Sequence, residues 1–306
     1  MGLQTLIDFS RIPSPVILQG DAATAFRDPA VVYHDGTFHL FYTLVKTDAV
    51  GKVFLHLAKS ESRDLIHWTE PRILTAPDPR LNFSSPGSIV RHSGRWVLCL
   101  QTYPRPAGEK YGDATARLWT MRSDDLEEWD EPRLLRVKGP QVDREHMGRM
   151  IDPFLFEDRQ EAGKWWCFYK QDGVSMSSSH DLENWTFGGR IEGGENCCVL
   201  VDGNEYVLFH SPENGIGLKR SPDLVRWRDE GIFHLGQAEW PWARGRITAG
   251  FVLDLRHEPR VGKYLLFFHG SGPEDEWTMF DTHASIGLAW GESLSQWEFA
   301  ANRGVE

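Results

Sequence analysis

The sequence lacks the features of membrane-spanning, disulfide-stapled and zinc-binding proteins. It contains no run of about 18 apolar residues, which excludes a transmembrane helix. Its four cysteines have no metal-binding or disulfide-framework spacing, and we expect Cys99, Cys167, Cys197 and Cys198 to be buried free thiols. Helical periodicity is not sustained over any long window either, and this favours an all-β protein.

Positive charge is also scarce. There are 33 Lys and Arg residues against 44 Asp and Glu, giving a formal net charge of −11. This balance argues against nucleic acid or an anionic membrane as a partner. The opening residues, MGLQTLIDFSRIPSPVILQG, lack a basic segment followed by an apolar one. No secretory signal is therefore visible, and we expect a cytoplasmic protein, although a secreted chain with its leader removed would look the same.

The sequence does contain a seven-residue repeat. SRDLIHW at 62–68 returns as SDDLEEW at 123–129, SHDLENW at 179–185 and SPDLVRW at 221–227, and a weaker copy, GESLSQW, occupies 291–297. The five tryptophans stand 42 to 70 residues apart. Repeats of this period with strand-like content are typical of β-propeller blades.

The residues between the copies complete each blade. An apolar strand, a turn such as His34-Asp35-Gly36, a second strand rich in aromatics and a third strand precede each motif. The motif predicts the turn into the fourth strand, where Ser and Asp bind nearby main-chain amides and Leu and Trp fill the space between blades. We predict one all-β domain over 1–306, a five-bladed β-propeller with four-stranded antiparallel blades around a central cavity. Residues 10–26 should add a strand that helps to close the ring.

The first strands carry the candidate catalytic residues. Alignment of the apolar runs that follow places Asp28, Ser85, Asp152, Glu195 and Thr248 at one level near the axis. A single Asp-Pro pair would indicate only a turn or a strand start. Three carboxylates converging on a narrow cavity lose solvation and repel one another, at a cost of several kcal/mol. This costly arrangement favours an active site.

Three segments carry a family resemblance: FRDPAVVYHDGTFHLFYT, RMIDPFLFED and GGENCCVLVDGNEYVLF. They resemble the five-bladed propeller glycosidases, most of all glycoside hydrolase family 43, and the match covers essentially the whole chain. The resemblance implies that Asp28 is the general base, that Asp152 tunes pKa and orientation, and that Glu195 is the general acid. Asn196 follows Glu195 where the family usually has Gly, and Thr248 stands where it often has a His that supports a metal or water. We therefore expect neither an obligatory metal nor a cofactor.

These carboxylates predict a glycoside hydrolase that acts with inversion on a glycoside or short oligosaccharide. An inverting pair is separated by roughly 6.5–9.5 Å, which suits blades one and four because they do not adjoin. Insertions before Asp152 and Thr248 should wall the cavity into a pocket for exo action. The sequence indicates neither which sugar is bound nor the oligomeric state.

The candidate substrate-binding residues lie on the first strands or in the loops that lead into them. They are Phe26, Arg27, Ser85, His146, Arg149, Trp240, Trp242, Arg246 and Thr248. We expect the aromatic residues to form a wall beneath a sugar. The arginines would balance the charge of the acidic ring or bind an anionic group.

Two other functions stay open from the sequence. The related propeller family 130 contains phosphorylases that bind phosphate through Arg and His. The related family 117 contains enzymes in which a His is the acid. The latter would give His146 the role of Glu195. A carbohydrate-binding propeller without catalysis is the third possibility, and retention of all three acids argues against it.

Overall fold

The structure is a computed structural model that describes residues 6–275 and 277–300; the ends of the predicted domain, 1–5 and 301–306, lie outside the described residues. Five antiparallel sheets contact one another through their innermost strands and form a ring. The predicted five-bladed β-propeller is confirmed.

The strands follow the chain in blade order. The first strand is β1 (Val16–Leu18). Blade one contains β2 (Thr24–His34), β3 (Thr37–Thr47), β4 (Val53–Ser62) and β5 (Arg72–Ile73). Blade two contains β6 (Phe83–Ser84), β7 (Ile89–His92), β8 (Arg95–Thr102), β9 (Leu118–Ser123) and β10 (Arg133–Leu134). Blade three contains β11 (Ile151–Glu157), β12 (Trp165–Lys170), β13 (Val174–Ser179) and β14 (Thr186–Ile191).

The last two blades complete the ring. Blade four contains β15 (Glu195–Asp202), β16 (Glu205–Ser211), β17 (Ile216–Ser221) and β18 (Arg228–Phe233). Blade five contains β19 (Arg246–Asp254), β20 (Tyr264–Ser271), β21 (Ser285–Ser293) and β22 (Gln296–Glu298). The helical elements among the described residues are short 3-10 turns at Phe9–Arg11, Arg144–Met147 and Gln237–Glu239. None of the described helices is long and apolar enough to cross a membrane.

Blade five closes the ring with both ends of the chain. β1 and β22 both pair with β21, so the outer edge of this blade combines an early and a late segment. The strand predicted within 10–26 is therefore confirmed as β1. Joining the two ends in one sheet ties the first blade to the last, because β19 and β20 also pack against β2.

The repeated motif forms the predicted turn into the fourth strand. In the first copy, the Ser62 hydroxyl accepts hydrogen bonds from the amides of Asp64 and Leu65 at 3.2 and 2.9 Å. The Asp64 carboxylate accepts from the amides of Ile66 and His67 at 2.9 and 2.8 Å. The copies that begin at Ser123, Ser179 and Ser221 repeat the hydrogen bonds from their Asp carboxylates to main-chain amides. This agreement confirms that the motif is structural.

The motif also fills the space between neighbouring blades. Trp129 of blade two packs edge-on against Phe41 of blade one, with ring centroids 5.5 Å apart. Trp297 of blade five stacks on Phe233 of blade four at 6.2 Å. These contacts assign the motif tryptophans to blade packing. The four cysteines are free and buried, as predicted.

Candidate active site

The innermost strand of four blades has a bulge near the axis, and that of blade two is interrupted at the same place, between β6 and β7. At this place one non-glycine residue takes the left-handed conformation: Asp28 (φ 50°), Ser85 (φ 40°), Asp152 (φ 53°), Asn196 (φ 50°) and Ala249 (φ 53°). A non-glycine residue at such a φ costs about 1–2 kcal/mol, because Cβ approaches the following carbonyl oxygen. The shared conformation identifies these five positions as structurally equivalent.

This equivalence corrects the predicted alignment in two blades. Asn196 and Ala249 occupy the bulge, while Glu195 and Thr248 stand one residue earlier. Glu195 pairs with Ser211, and Thr248 pairs with His269, as Arg27 pairs with Thr43 in blade one. The axial ring therefore contains two carboxylates rather than three, and Glu195 lies one position farther along the cavity wall.

A side chain of the preceding blade accepts a hydrogen bond from each bulge amide. The amide of Asp28 donates to His269 Nδ1 (3.1 Å), that of Ser85 to Thr43 Oγ1 (2.7 Å), that of Asp152 to Gln101 Oε1 (2.6 Å) and that of Ala249 to Ser211 Oγ (2.8 Å). These four acceptors occupy equivalent positions at the ends of second strands. The equivalent residue of blade three is Lys170, which has no acceptor, and the amide of Asn196 instead lies 3.4 Å from Asp152 Oδ2.

Thr43, Ser85 and Asn196, from blades one, two and four, donate hydrogen bonds to the carboxylate of Asp28. Oδ2 accepts hydrogen bonds from the hydroxyls of Thr43 (2.9 Å) and Ser85 (3.0 Å). Oδ1 lies 3.4 Å from the side-chain amide of Asn196 and 3.6 Å from His269 Nδ1. Because His269 Nδ1 accepts the Asp28 amide proton, the tautomer of this ring carries its proton on Nε2. The Asp28 carboxylate is thus held in one orientation.

Asp152 is the most deeply buried of the three carboxyls, with 6% of its surface exposed. Burial, and next the charges of Glu195 and Asp28, raise the pKa of Asp152 to about 8. The hydrogen bonds from Asn196 and Ser85 oppose this rise only in part. The free protein therefore holds a proton on this acidic cluster at neutral pH.

Glu195 is half-buried and reaches the cavity from the first residue of β15. The segment in front of it is fixed by the next strand, because the Gly194 amide donates to His210 Nδ1 at 3.0 Å. Burial lowers the pKa of His210 to about 4, so this ring is neutral and can accept that proton. His210 therefore positions Glu195 without contributing charge.

A cavity of about 790 Å³ opens above the ring. It has the size of small-ligand sites. Five predicted substrate-binding residues line it together with the three carboxyls: Arg27, Ser85, Arg149, Arg246 and Thr248. The three guanidinium groups donate to main-chain carbonyls, Arg27 to Phe280 (2.9 Å), Arg246 to Glu213 (2.8 Å) and Arg149 to Gly112 (3.4 Å). These contacts hold the cavity wall.

Four predicted substrate-binding residues do not line the cavity. Trp240 and Trp242 are buried and stack on each other at 5.4 Å, and both pack against Phe268. Phe26 is buried against Tyr42. These three side chains belong to the hydrophobic core, where a large aromatic surface is removed from water. His146 is exposed on the outside of the 3-10 turn Arg144–Met147, which argues against its role as an alternative acid.

The Tyr, Trp and Phe side chains of the described residues that do line the cavity are Tyr103, Tyr111, Trp277 and Phe280, which the sequence reasoning missed. They lie in the connections between the second and third strands of blades two and five. A usable signal was present, because both connections are long, 103–117 and 272–284, whereas those of blades three and four are 171–173 and 212–215.

One cluster of the described residues has the spacing of a metal site. It consists of His39, Glu61 and Glu127 and lies outside the cavity. The buried ammonium of Lys59 is 2.6 Å from Glu61 and 2.7 Å from Glu127. Because this cation already balances the carboxylates, the cluster is a salt-bridge network between blades one and two.

The sequence of the first three blades and of the innermost strand of blade four matches a known family. Residues 24–201 match the family model described as "Glycosyl hydrolases family 32 N-terminal domain", and this range contains Asp28, Asp152 and Glu195. The chain belongs to this family. It is a glycoside hydrolase, and the predicted enzyme class is confirmed. No curated protein matched the chain.

Solved structures of other propeller glycosidases share the fold. An exo-1,5-α-L-arabinanase from a bovine ruminal metagenomic library is 16% identical with a TM-score of 0.62, covering 91% of this chain and 98% of its own. A family 117 glycoside hydrolase from Zobellia galactanivorans is 15% identical (TM-score 0.64), covering 90% and 87%. A mutant of the family 43 protein BlXynB from Bacillus licheniformis is 15% identical (TM-score 0.61), covering 93% and 55%. The resemblance to family 43 and its propeller relatives is thus confirmed at the level of the fold.

Proposed function

We propose that this glycoside hydrolase removes a terminal sugar from a short oligosaccharide, with inversion and without phosphate. One observation carries the proposal. Asp28 and Asp152 lie at the floor of a cavity whose wall contains Glu195, and burial among these acids raises the pKa of Asp152 to about 8. Acid–base catalysis requires a cluster that holds both a proton and a carboxylate at neutral pH.

The roles follow from access and contacts. Asp28 is the general base, because its carboxylate is held by Thr43 and Ser85 and still faces the cavity. Glu195 is the general acid, because it lines the cavity and is less buried than Asp152. Asp152 tunes the site, because burial and the charges of Glu195 and Asp28 raise its pKa. If Glu195 is not the donor, Asp152 replaces His146 as the next acid to test.

Inversion is favoured by the positions of the base and the acid around the cavity. Asp28 and Glu195 lie on blades one and four, and Asn196 lies between them with its side-chain amide 3.4 Å from Asp28. In an inverting enzyme a water occupies the gap between base and acid, and Asp28 removes its proton as it attacks the anomeric carbon. A shorter gap of about 5–5.5 Å would instead make Asp28 a nucleophile and retain the configuration.

Exo action is favoured by the shape of the site. The cavity ends at the axial ring, and the connections at 103–117 and 272–284 cover one side of its mouth. A closed end accommodates the terminus of a chain, whereas internal cleavage of a polymer needs a groove open at both sides. Arabinosides are a rational first choice of substrate, given the structural similarity to the exo-arabinanase.

Phosphorolysis is the second candidate, because Arg27, Arg149 and Arg246 all line the cavity. Their contacts with main-chain carbonyls favour a supporting role instead. We therefore expect turnover without phosphate.

The test is a panel of nitrophenyl glycosides that covers aldofuranosides, ketofuranosides and pyranosides, each with and without inorganic phosphate. The configuration of the first product is followed by NMR. We expect hydrolysis of at least one glycoside with inverted configuration and no acceleration by phosphate. A retained anomer would contradict inversion, a sugar phosphate would identify a phosphorylase, and no turnover at all would contradict the proposed function.

A further inference from the structure

The connections 103–117 of blade two and 272–284 of blade five meet over blade one, and we call this pair of segments the roof. A buried ion pair joins them, with both nitrogen ends of the Arg105 guanidinium on the Asp281 carboxylate at 2.7 and 2.8 Å. The Arg105 side chain is only 4% exposed. Two parallel hydrogen bonds between a guanidinium and a carboxylate fix both distance and orientation.

The roof is also attached to the catalytic strand. Arg27, next to Asp28, donates to the carbonyl of Phe280 at 2.9 Å and lies 4.2 Å from the centroid of its ring. Tyr111 packs edge-on against Phe280 at 4.9 Å, and so the two segments share an aromatic contact. Within the segment 103–117, Gly112 packs closely on Tyr103, because a Cβ at Gly112 would lie 2.6 Å from the Tyr103 ring. These contacts set the roof at a fixed height above the carboxyls.

The roof exposes two large aromatic rings at the cavity mouth. Trp277 is 66% exposed and Tyr111 is 39% exposed, and both line the cavity. Their rings are 5.5 Å apart at a steep angle, and the Lys110 ammonium lies 4.1 Å from the Trp277 ring. Exposing a tryptophan ring to water is unfavourable, and here an aromatic neighbour and a cation hold the ring in its exposed position. At the mouth of a site, such a ring indicates that a ligand binds there.

We propose that Trp277 and Tyr111 form a binding subsite for the second sugar ring of the substrate, on the leaving-group side of the scissile bond. This inference rests on the proposed function. The terminal sugar must lie at the cavity floor, where Asp28 and Asp152 are, so the rest of the oligosaccharide extends toward the mouth and the roof. The apolar C–H face of a pyranose or furanose ring matches the face of an indole, and the phenol and ammonium can bind its hydroxyls.

The test compares leaving groups with and without a ring. Using the first sugar that the wild-type enzyme hydrolyses in the glycoside panel, kcat/KM is measured for its glycosyl fluoride and for its disaccharide. The fluoride leaving group cannot reach the roof. Trp277→Ala should lower kcat/KM for the disaccharide about tenfold, as expected for the loss of one aromatic stacking surface. It should leave the value for the fluoride within about twofold.

Phe187→Ala is the matched control. Phe187 is also an exposed aromatic residue, 44% accessible with the Arg190 guanidinium 5.5 Å from its ring, but it lies on β14 outside the cavity. This variant should leave both substrates unchanged. Because both rings are exposed, neither substitution should prevent folding.

Three results would overturn the inference. The first is an equal fall in kcat/KM for both substrates in Trp277→Ala, and the second is an unchanged kcat/KM for the disaccharide; each of these removes the subsite while the proposed hydrolase function stands. Absence of any wild-type turnover would overturn the function and the subsite together.

Discussion

Oδ2 of Asp152 lies 3.4 Å from the main-chain amide of Asn196, the residue that follows Glu195. This contact joins the inner strands of blades three and four at the point where the proposed acid is attached. It exists because Lys170 stands where the other blades carry an accepting side chain, so the bulge amide of blade four has only Asp152 in reach. The buried carboxyl of Asp152 thus accepts a hydrogen bond from the amide of Asn196, while the charge of the neighbouring Glu195 raises its pKa.

Asp152→Asn should lower kcat. Relative to the wild type, it should also stabilise the folded protein increasingly as the pH rises. Because the folded pKa is about 8 and the ordinary value is 3.8, the folded state binds a proton between these values that the unfolded chain releases. Wild-type stability contributed by this group is therefore fully present below about pH 4 and is lost as the pH rises to about 8. Asn carries no such dependence. Thermal unfolding at pH 5 and pH 8 should show the variant gaining on the wild type at the higher pH. Equal pH dependence of the two proteins would contradict the raised pKa.

Gln101→Leu tests the positioning of the same carboxyl. The Asp152 amide would lose its acceptor, and a buried amide without a partner costs about 1–3 kcal/mol of stability. We also expect a lower kcat with little change in KM, since the bulge that aims Asp152 would relax. Urea unfolding and steady-state kinetics measure both effects, and an unchanged free energy of unfolding in the Leu variant would show that the bond is unimportant.

The predictions that succeeded rest on patterns with a direct physical meaning. The repeated Ser and Asp make the same main-chain hydrogen bonds in four of the five copies, so the motif predicted blade number and turn position. The ring alignment failed by one residue in blades four and five. Cys197 and Gly250 were counted as the start of the apolar run, although each directly follows the bulge residue. Only the backbone conformation distinguishes these positions.

The aromatic wall was mispredicted for a related reason. Trp240 and Trp242 precede an inner strand, as wall residues should, but a stacked pair of indoles buries more apolar surface in the core than at a wet rim. Tyr111 and Trp277 come from segments far apart in sequence, whose meeting depends on the ion pair between Arg105 and Asp281. Such a long-range contact has no local signature.

The turn carboxylates should make the fold sensitive to acid. Amide hydrogen bonds from Arg226 and Val225 lower the pKa of Asp223 to about 2, and main-chain amides in two other copies also lower the pKa of Asp125 and Asp181. A lowered folded pKa gives stability that is present above the unfolded value near 4 and is lost as the pH falls toward 2. Replacing these residues by Asn keeps the accepting oxygen and removes the charge. The melting temperature of the triple variant should therefore fall less between pH 5 and pH 2.5 than that of the wild type; parallel curves would contradict this.

Chelation should leave activity within about twofold. Among the described residues, the group with metal-site spacing lies outside the cavity and already contains the Lys59 ammonium. Hydrolysis is measured after dialysis against EDTA and again after addition of Ca²⁺. Loss of activity that Ca²⁺ restores would show that an ion acts in the site.

The central claim is the division of roles between Asp28 and Glu195, and the dependence of rate on leaving group tests it most directly. Hydrolysis of a natural disaccharide is compared with that of the matching dinitrophenyl glycoside, whose leaving group departs without a proton. Glu195→Gln should lose most activity on the disaccharide and keep much of it on the dinitrophenyl substrate. Asp28→Asn should lower both by a similar factor, on the order of 10² to 10⁴, because both need the activated water. Equal loss of the two substrates in Glu195→Gln would contradict the assignment of Glu195 as the acid.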